Sequence, residues 1–293
     1  MIDGLVVVDK SAGWTSHDVV AKLRRVYAQR RIGHAGTLDP DATGVLLVGL
    51  GRVTRLLRFL QEQVKTYRAR VVFGIATDTL DASGAVLEQA EMSFAREQLE
   101  DAARSFLGDI EQVPPMVSAI KVGGRKLYEM ARAGEEIERA PRRVRIERID
   151  VHDLAPGPYP EADLTVVCSS GTYIRSLAAD LGTALGGCAH LSALRRIAIG
   201  EFSADDARTV EAVEADPAAA VLTPADAMRG LDRVVVTGEQ ARGVAHGATF
   251  AARSLVGDDS APGPFAVTDD AGTLLAVYER RGAGVKPAVV LTP

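Results

Sequence analysis

Residues 33–44 read GHAGTLDPDATG and bring His34, Asp39 and Asp41 into one short stretch bounded by Gly33, Gly36, Pro40 and Gly44. Two carboxylates and an imidazole on a glycine-rich segment offer nucleophilic or general acid–base chemistry. The plain alternative is an Asp-Pro turn whose polar side chains satisfy their own backbone. The two cysteines, Cys168 and Cys188, offer less. They sit in apolar or Gly-rich surroundings with no CxxC and no nearby histidine pair, the pattern of buried free thiols rather than of a metal site or a disulfide scaffold.

The elements around this stretch are mixed. GLVVVD (4–9) reads as a short buried strand, and TSHDVVAKLRRVYAQ as a helix capped by Thr15, with Asp18 three residues on. After residues 33–44, expected to be a loop, GVLLVGLG is a buried strand and RVTRLLRFL a short helix. KTYRARVVFG alternates Tyr67, Ala69, Val71 and Phe73 on one face with Arg68 and Arg70 on the other. SFAREQLEDAARSFLG is a helix between Ser93 and Gly108, two strands follow in RVRIERIDVHDL and ADLTVVCSS, and a helix opens at Thr172. Past residue 220 an Ala-, Pro- and Asp-rich stretch leads into short β-like runs, RVVVTG, PFAVTD and TLLAVYER. This order predicts an α+β protein around a mixed, largely antiparallel sheet flanked by helices, plus a small β-rich module over 231–293. The lone GLG lacks the spacing of a dinucleotide site.

The chain of 293 residues has a net charge of −5, unevenly spread. From Asp18 to Arg70, eleven Lys and Arg face four carboxylates, and from Lys121 to Arg148 nine face five. A basic face on an acidic chain suits a polyanion, since only local potential within about 8–10 Å reaches a phosphate. Solvated, internally paired helix faces are the plain alternative. The apolar run after Met1–Asp3 is too short for a signal segment or a membrane span, so the expected location is cytoplasmic.

Six stretches together carry a resemblance. GLVVVDKSAGWTSHDVV, RRIGHAGTLDPDATGVLLVGLGRVTR, KTYRARVVFG, QVPPMVSAIKVGGRKLYEMARAG, CSSGTYIRSLAADLG and HLSALRR follow one another as do the motifs of bacterial tRNA pseudouridine-55 synthases, the TruB family. The resemblance spans roughly residues 4–203; the C-terminal part resembles that family's PUA-like RNA-binding appendage more weakly.

It implies a pseudouridine-synthase fold, a catalytic domain over 1–225 with a thumb-like insertion at about 117–143, and a PUA-like module over 231–293. It also implies isomerisation of the T-loop uridine of tRNA by base flipping, with no cofactor and no metal, by a protein expected to be a monomer without membrane contact. By resemblance Asp39 is the nucleophile, Tyr67 stacks on the target base, and Arg175 pairs with the nucleophilic carboxylate beside Tyr173. Leu194 walls the base pocket, His34 fills the place of the flipped base, Lys10 lies near the site, and Lys121 and Arg125 belong to the basic thumb. Two departures stand out. Asp41 occupies a position usually apolar and is expected to face solvent, because a second carboxylate in the pocket would blunt the nucleophile. Ser11 replaces the proline that usually follows the lysine. The competing readings are an RNA-binding or RNA-folding protein that kept the fold without the chemistry, and a synthase acting on another RNA uridine.

Overall fold

The computed structural model describes the chain except residues 118–120, 123–124, 127–129, 131–136, 259 and 292–293, and the side chains of residues 121, 122, 125 and 126. The described residues form two compact units: Met1–Pro40 with Gly44–Gln61 and Gly200–Pro293, and Asp41–Thr43 with Glu62–Ile199.

In the first unit, strand β1 (Gly4–Lys10) leads to helix α1 (Ser16–Val26), then β2 (Ile32–Ala35), β3 (Thr43–Leu50), a 3-10 turn (Gly51–Arg55) and helix α2 (Leu57–Gln61). The capping box forms as expected: Thr15 Oγ1 accepts from the Asp18 N–H at 3.1 Å, and the Asp18 carboxylate accepts from the Thr15 N–H at 2.9 Å. β1 runs antiparallel to β3 from Gly4 opposite Leu50 to Lys10 opposite Gly44, and β2 pairs with β3 from Ile32 to Ala35. Val6, Val8, Val19, Leu23, Leu46 and Val48 form the core between α1 and these strands. Residues 33–35, expected to lie in the loop, are therefore strand, because their backbone groups find the ladder of β3. RVTRLLRFL splits into a 3-10 turn and α2 rather than one helix.

The same unit carries a five-stranded C-terminal sheet in the order 232–235, 265–268, 274–281, 284–290, 250–251. Its first pair is parallel and the others antiparallel. Helices at Gly238–Ala245 and Ala252–Val256, not expected from the sequence, cover a core of Val244, Leu255, Phe265 and Tyr278. Arginines from the 3-10 turn and α2 fasten this sheet. Arg52 Nη1 donates to Leu291 O at 2.5 Å, Arg55 Nη1 to Val290 O at 2.8 Å, and Arg58 Nη2 to Glu279 Oε1 at 2.8 Å.

The second unit comprises β4 (Lys65–Phe73), β5 (Ile75–Thr77), β6 (Val86–Gln89), α3 (Arg96–Ser105), β7 (Gly108–Gln112), the short pair β8 (Lys121–Val122) and β9 (Arg125–Lys126), β10 (Arg142–Ala155), β11 (Glu161–Cys168), α4 (Ile174–Ala184) and β12 (Ala189–Ile199). Its sheet runs β12–β4–β11–β10–β7, antiparallel throughout. β4 buries Tyr67, Ala69, Val71 and Phe73 and exposes Arg68 and Arg70, as the alternation predicts. α3 starts at Arg96 rather than behind Ser93: the Gln98 side chain reaches back to accept from the Ala95 N–H at 2.8 Å, and Gly108 opens β7. α4 starts at Ile174 rather than at Thr172. Cys168 is buried but Cys188 is only half-buried, and both are free. Among the described residues no helix is long and apolar enough to cross a membrane.

Candidate active site

Asp39 sits half-buried just beyond β2, and the N-terminal segment holds the backbone on both sides of it. On the N-terminal side, Ser16 Oγ accepts from the Leu38 N–H at 2.9 Å and donates to Leu38 O at 3.3 Å. On the C-terminal side, Pro40 O accepts from the Gly13 N–H at 3.0 Å and from Lys10 Nζ at 2.9 Å. Lys10 is fully buried, and its ammonium also donates to Ser11 O at 3.0 Å and Trp14 O at 2.6 Å. A buried cation facing three carbonyls in this way ties the KSAGWTS segment to the Asp39 backbone. Gly36 and Gly44 bound the loop with φ of +82° and +101°, conformations that side-chain-bearing residues rarely adopt. Asp41 is exposed, as expected. Lys10 therefore acts on the loop backbone, and the replacement of proline by Ser11 leaves that contact intact.

His34, half-buried on β2, presents its ring edge-on to His17 with centroids 5.3 Å apart. It stands beside an open concavity lined by arginines.

In the second unit, register decides which side chains share a face. Leu194 lies opposite Ala69, and Arg196 opposite Tyr67, so Tyr67, Leu194 and Arg196 project from the same side of β4 and β12. Tyr67 and Arg196 are buried and Leu194 is half-buried. Lys65, on the same face as Tyr67 and also buried, donates to Gln63 O at 2.8 Å. Burial, with the Arg196 charge second, pushes its ammonium down to about 8.

The start of α4 is built with equal care. Gln112, buried at the end of β7, accepts from the Tyr173 N–H at 2.7 Å and donates to Tyr173 O at 3.0 Å, while Ser176 Oγ donates to Val113 O at 3.0 Å. These bonds explain why the helix proper begins at Ile174: the Tyr173 amide is drawn to the Gln112 side chain. Arg175 is 4% exposed. Its guanidinium donates to Thr79 O at 3.1 Å and Val117 O at 2.8 Å, and Nη1 stands 3.3 Å from the Asp81 carboxylate. Asp81 is set by its own turn, accepting from Thr79 Oγ1 at 2.6 Å, the Ser83 N–H at 3.0 Å and Ser83 Oγ at 2.6 Å.

Asp81, Gln112 and Ser16 were not singled out from the sequence. The Asp-x-Ser-Gly pattern at 81–84 carries an Asx-turn signal that could have drawn attention to Asp81. Nothing local marks Gln112 or Ser16, whose partners lie far along the chain. Lys121 and Arg125 fall on β8 and β9, and their side chains lie outside the described residues. Among the described residues no group of three or more His, Cys, Asp or Glu gathers to hold a metal.

Known proteins resemble this chain in a consistent way. The family model of the N-terminal domain of TruB family pseudouridylate synthases matches residues 24–174, and that of the tRNA pseudouridylate synthase B C-terminal domain matches residues 175–241. The chain is 49% identical over 253 residues to tRNA pseudouridine synthase B of Symbiobacterium thermophilum, covering 86% of this chain and 84% of that one. It is 44% identical over 296 residues to the protein of that name from Thermobifida fusca, covering 99% of both. Among solved structures, a Cbf5-Nop10-Gar1 complex superposes with a TM-score of 0.74 at 25% identity, covering 99% of this chain and 84% of that one.

Proposed function

The chain belongs to the TruB family of pseudouridylate synthases, and on that premise we propose that it converts the T-loop uridine at position 55 of tRNA to pseudouridine, with Asp39 as the nucleophile. It is an isomerase of tRNA uridine. The reaction breaks the C1′–N1 bond, turns the base, joins C5 to C1′ and moves one proton from C5 to N1, so nothing is gained or lost. One group must attack or relay a proton and then leave, which a carboxylate does well.

The observation that carries the assignment to Asp39 is the fixing of its neighbours on both sides by Ser16, Gly13 and Lys10. A carboxylate whose backbone is this constrained meets its target with little ordering left to do. Tyr67 and Leu194, sharing one face, are suited to stack on and wall a flipped uracil. Arg175 and Tyr173, anchored at the head of α4, supply a rigid cation and an aromatic ring. Unstacking the target base costs a few kcal/mol, offset by such stacking and by phosphate contacts. The C-terminal sheet and the thumb-like insertion add grip on the RNA.

The test is a map of pseudouridine, by carbodiimide reactivity or mass spectrometry, in tRNA incubated with wild type and with Asp39→Asn. We expect one modified T-loop uridine with wild type. The asparagine variant should fold and bind tRNA while losing at least about 10³-fold in turnover, or ~4 kcal/mol of barrier. Wild type that binds tRNA without modifying it would favour the RNA-binding reading. Modification at a different uridine would favour the synthase of another site.

A further inference from the structure

The basic run between Asp18 and Arg70 is not uniformly available. Lys22 is paired with Glu214, Arg52 with Asp3 and Arg70 with Asp163, and Arg24 donates to Ile32 O. Four other cations, Arg30, Arg31, Arg55 and Arg58, are exposed and line one open concavity of about 480 Å³ beside His34. Among the described residues that line it there is no carboxylate.

Three of these guanidiniums are braced from behind. Arg31 Nε donates to Thr54 Oγ1 at 3.1 Å, Arg55 is tied to Val290 O, and Arg58 is tied to Glu279 while lying 4.5 Å over the Phe59 ring. Each bond uses one N–H of the five that a guanidinium carries, so donors remain on every one. The Arg30 carbonyl accepts from the Ile32 N–H at 2.9 Å, while its side chain makes no hydrogen bond or ion pair among the described residues. Like charges gathered in one hollow repel, and an anion placed there relieves the repulsion. Planar forks of N–H donors match the paired oxygens of a phosphodiester. Bracing removes part of the ordering cost that a long side chain otherwise meets on binding.

We propose that this concavity is a phosphate-binding subsite for the backbone of the substrate RNA, which it grips without reading base sequence. The proposal rests on the reading of the chain as a tRNA-modifying enzyme, and adds which cations hold the strand. A strand held here passes His34.

The experiment uses the full chain with Arg30→Gln, Arg31→Gln and the double variant. Arg104→Gln, on α3 and paired only at the surface with Asp101, serves as a charge-matched control. Arg30→Gln breaks no internal bond and is the variant least exposed to misfolding. Binding of tRNA is measured across a salt series, alongside the KM and kcat of pseudouridine formation and the ³¹P line width of inorganic phosphate. For each phosphate that is no longer neutralised, the slope of log K against log salt should become shallower by roughly 0.7–0.9. The double variant should show about twice that change, with KM rising more than kcat falls, and Arg104→Gln should match wild type. If wild type modifies tRNA but the Arg30 and Arg31 variants keep its salt slope, the subsite is wrong and the family activity stands. If phosphate broadening disappears in the double variant while the tRNA slope is unchanged, the hollow takes a free anion and the RNA assignment is overturned. If wild type forms no pseudouridine in tRNA, the functional reading fails instead, and the salt slopes still decide whether these arginines meet RNA.

Discussion

Arg175 and Lys65 show how much a single buried cation depends on its surroundings. Arg175 spans Thr79 O, Val117 O and the Asp81 carboxylate at once. An Arg175→Lys variant keeps the charge, but one compact ammonium cannot reproduce the planar fork. We expect a loss of about 1–3 kcal/mol in urea unfolding from the acceptors left unpaired, and in single-turnover kinetics a larger loss of rate than of tRNA affinity. Lys65 lends itself to a pH test. Its folded value of about 8 lies below the ordinary 10.5. Between those values the unfolded chain keeps the proton that the folded chain gives up, so raising the pH through this window stabilises the fold, by at most ~1.4 kcal/mol per unit. Cys168, directly across from Lys65, is pushed up to about 11 by burial and works in the opposite direction above its ordinary 9. The Lys65 effect is therefore cleanest between about pH 8 and 9. Unfolding free energies measured there should rise more steeply with pH for wild type than for Lys65→Met, which keeps only the opposing thiols; equal slopes would remove Lys65 as the cause.

Helix α4 illustrates how an element can override the propensity of its own residues. Gly182 lies inside it, where a change to alanine ordinarily gains about 1 kcal/mol. Here a Cβ would stand 2.5 Å from the Ala189 N and Cys188 C atoms, so the helix approaches the start of β12 backbone to backbone. Gly182→Ala should therefore destabilise, by roughly 1–3 kcal/mol, because the atoms it meets cannot swing away. A urea midpoint above that of wild type would show that β12 yields. The same closeness bears on the candidate site, since Tyr173 caps α4, Arg175 lies in its first turn, and β12 carries Leu194 further on.

For the whole molecule, the proposed function makes the distribution of charge the quantity to test. A chain of net charge −5 must concentrate its cations to hold a polyanion. Reversing two cations of the insertion, Lys121 and Arg125 to Glu together, should weaken tRNA binding and flatten its salt dependence. On the role proposed for Asp39, Asp39→Asn should leave the slope alone, because a carboxylate that meets the base neutralises no phosphate. Filter binding over a salt series separates the two, and a slope insensitive to the double reversal would mean that the insertion is solvated surface.

The candidate residues could be named from the sequence because chemistry at a carboxylate-bearing loop needs particular side chains at particular spacings, and the GHAGTLDPDATG stretch and its five companion motifs carry such side chains in order. Strand β4 and the cap of α1 were legible for a local reason: alternation and a capping box are written within a few residues. The boundaries of β2, α3 and α4 were not, because backbone groups there answer to distant partners, β3 for residues 32–35 and Gln112 for Tyr173. The same is true of what holds Asp39. Lys10, Gly13 and Ser16 reach Pro40 and Leu38 across twenty-two residues or more, and Asp81 reaches Arg175 across ninety-four. Local pattern specified which groups could offer chemistry; only tertiary packing, which closes such long loops at once, decided which of the many cations and carboxylates are engaged inside the fold and which stay exposed.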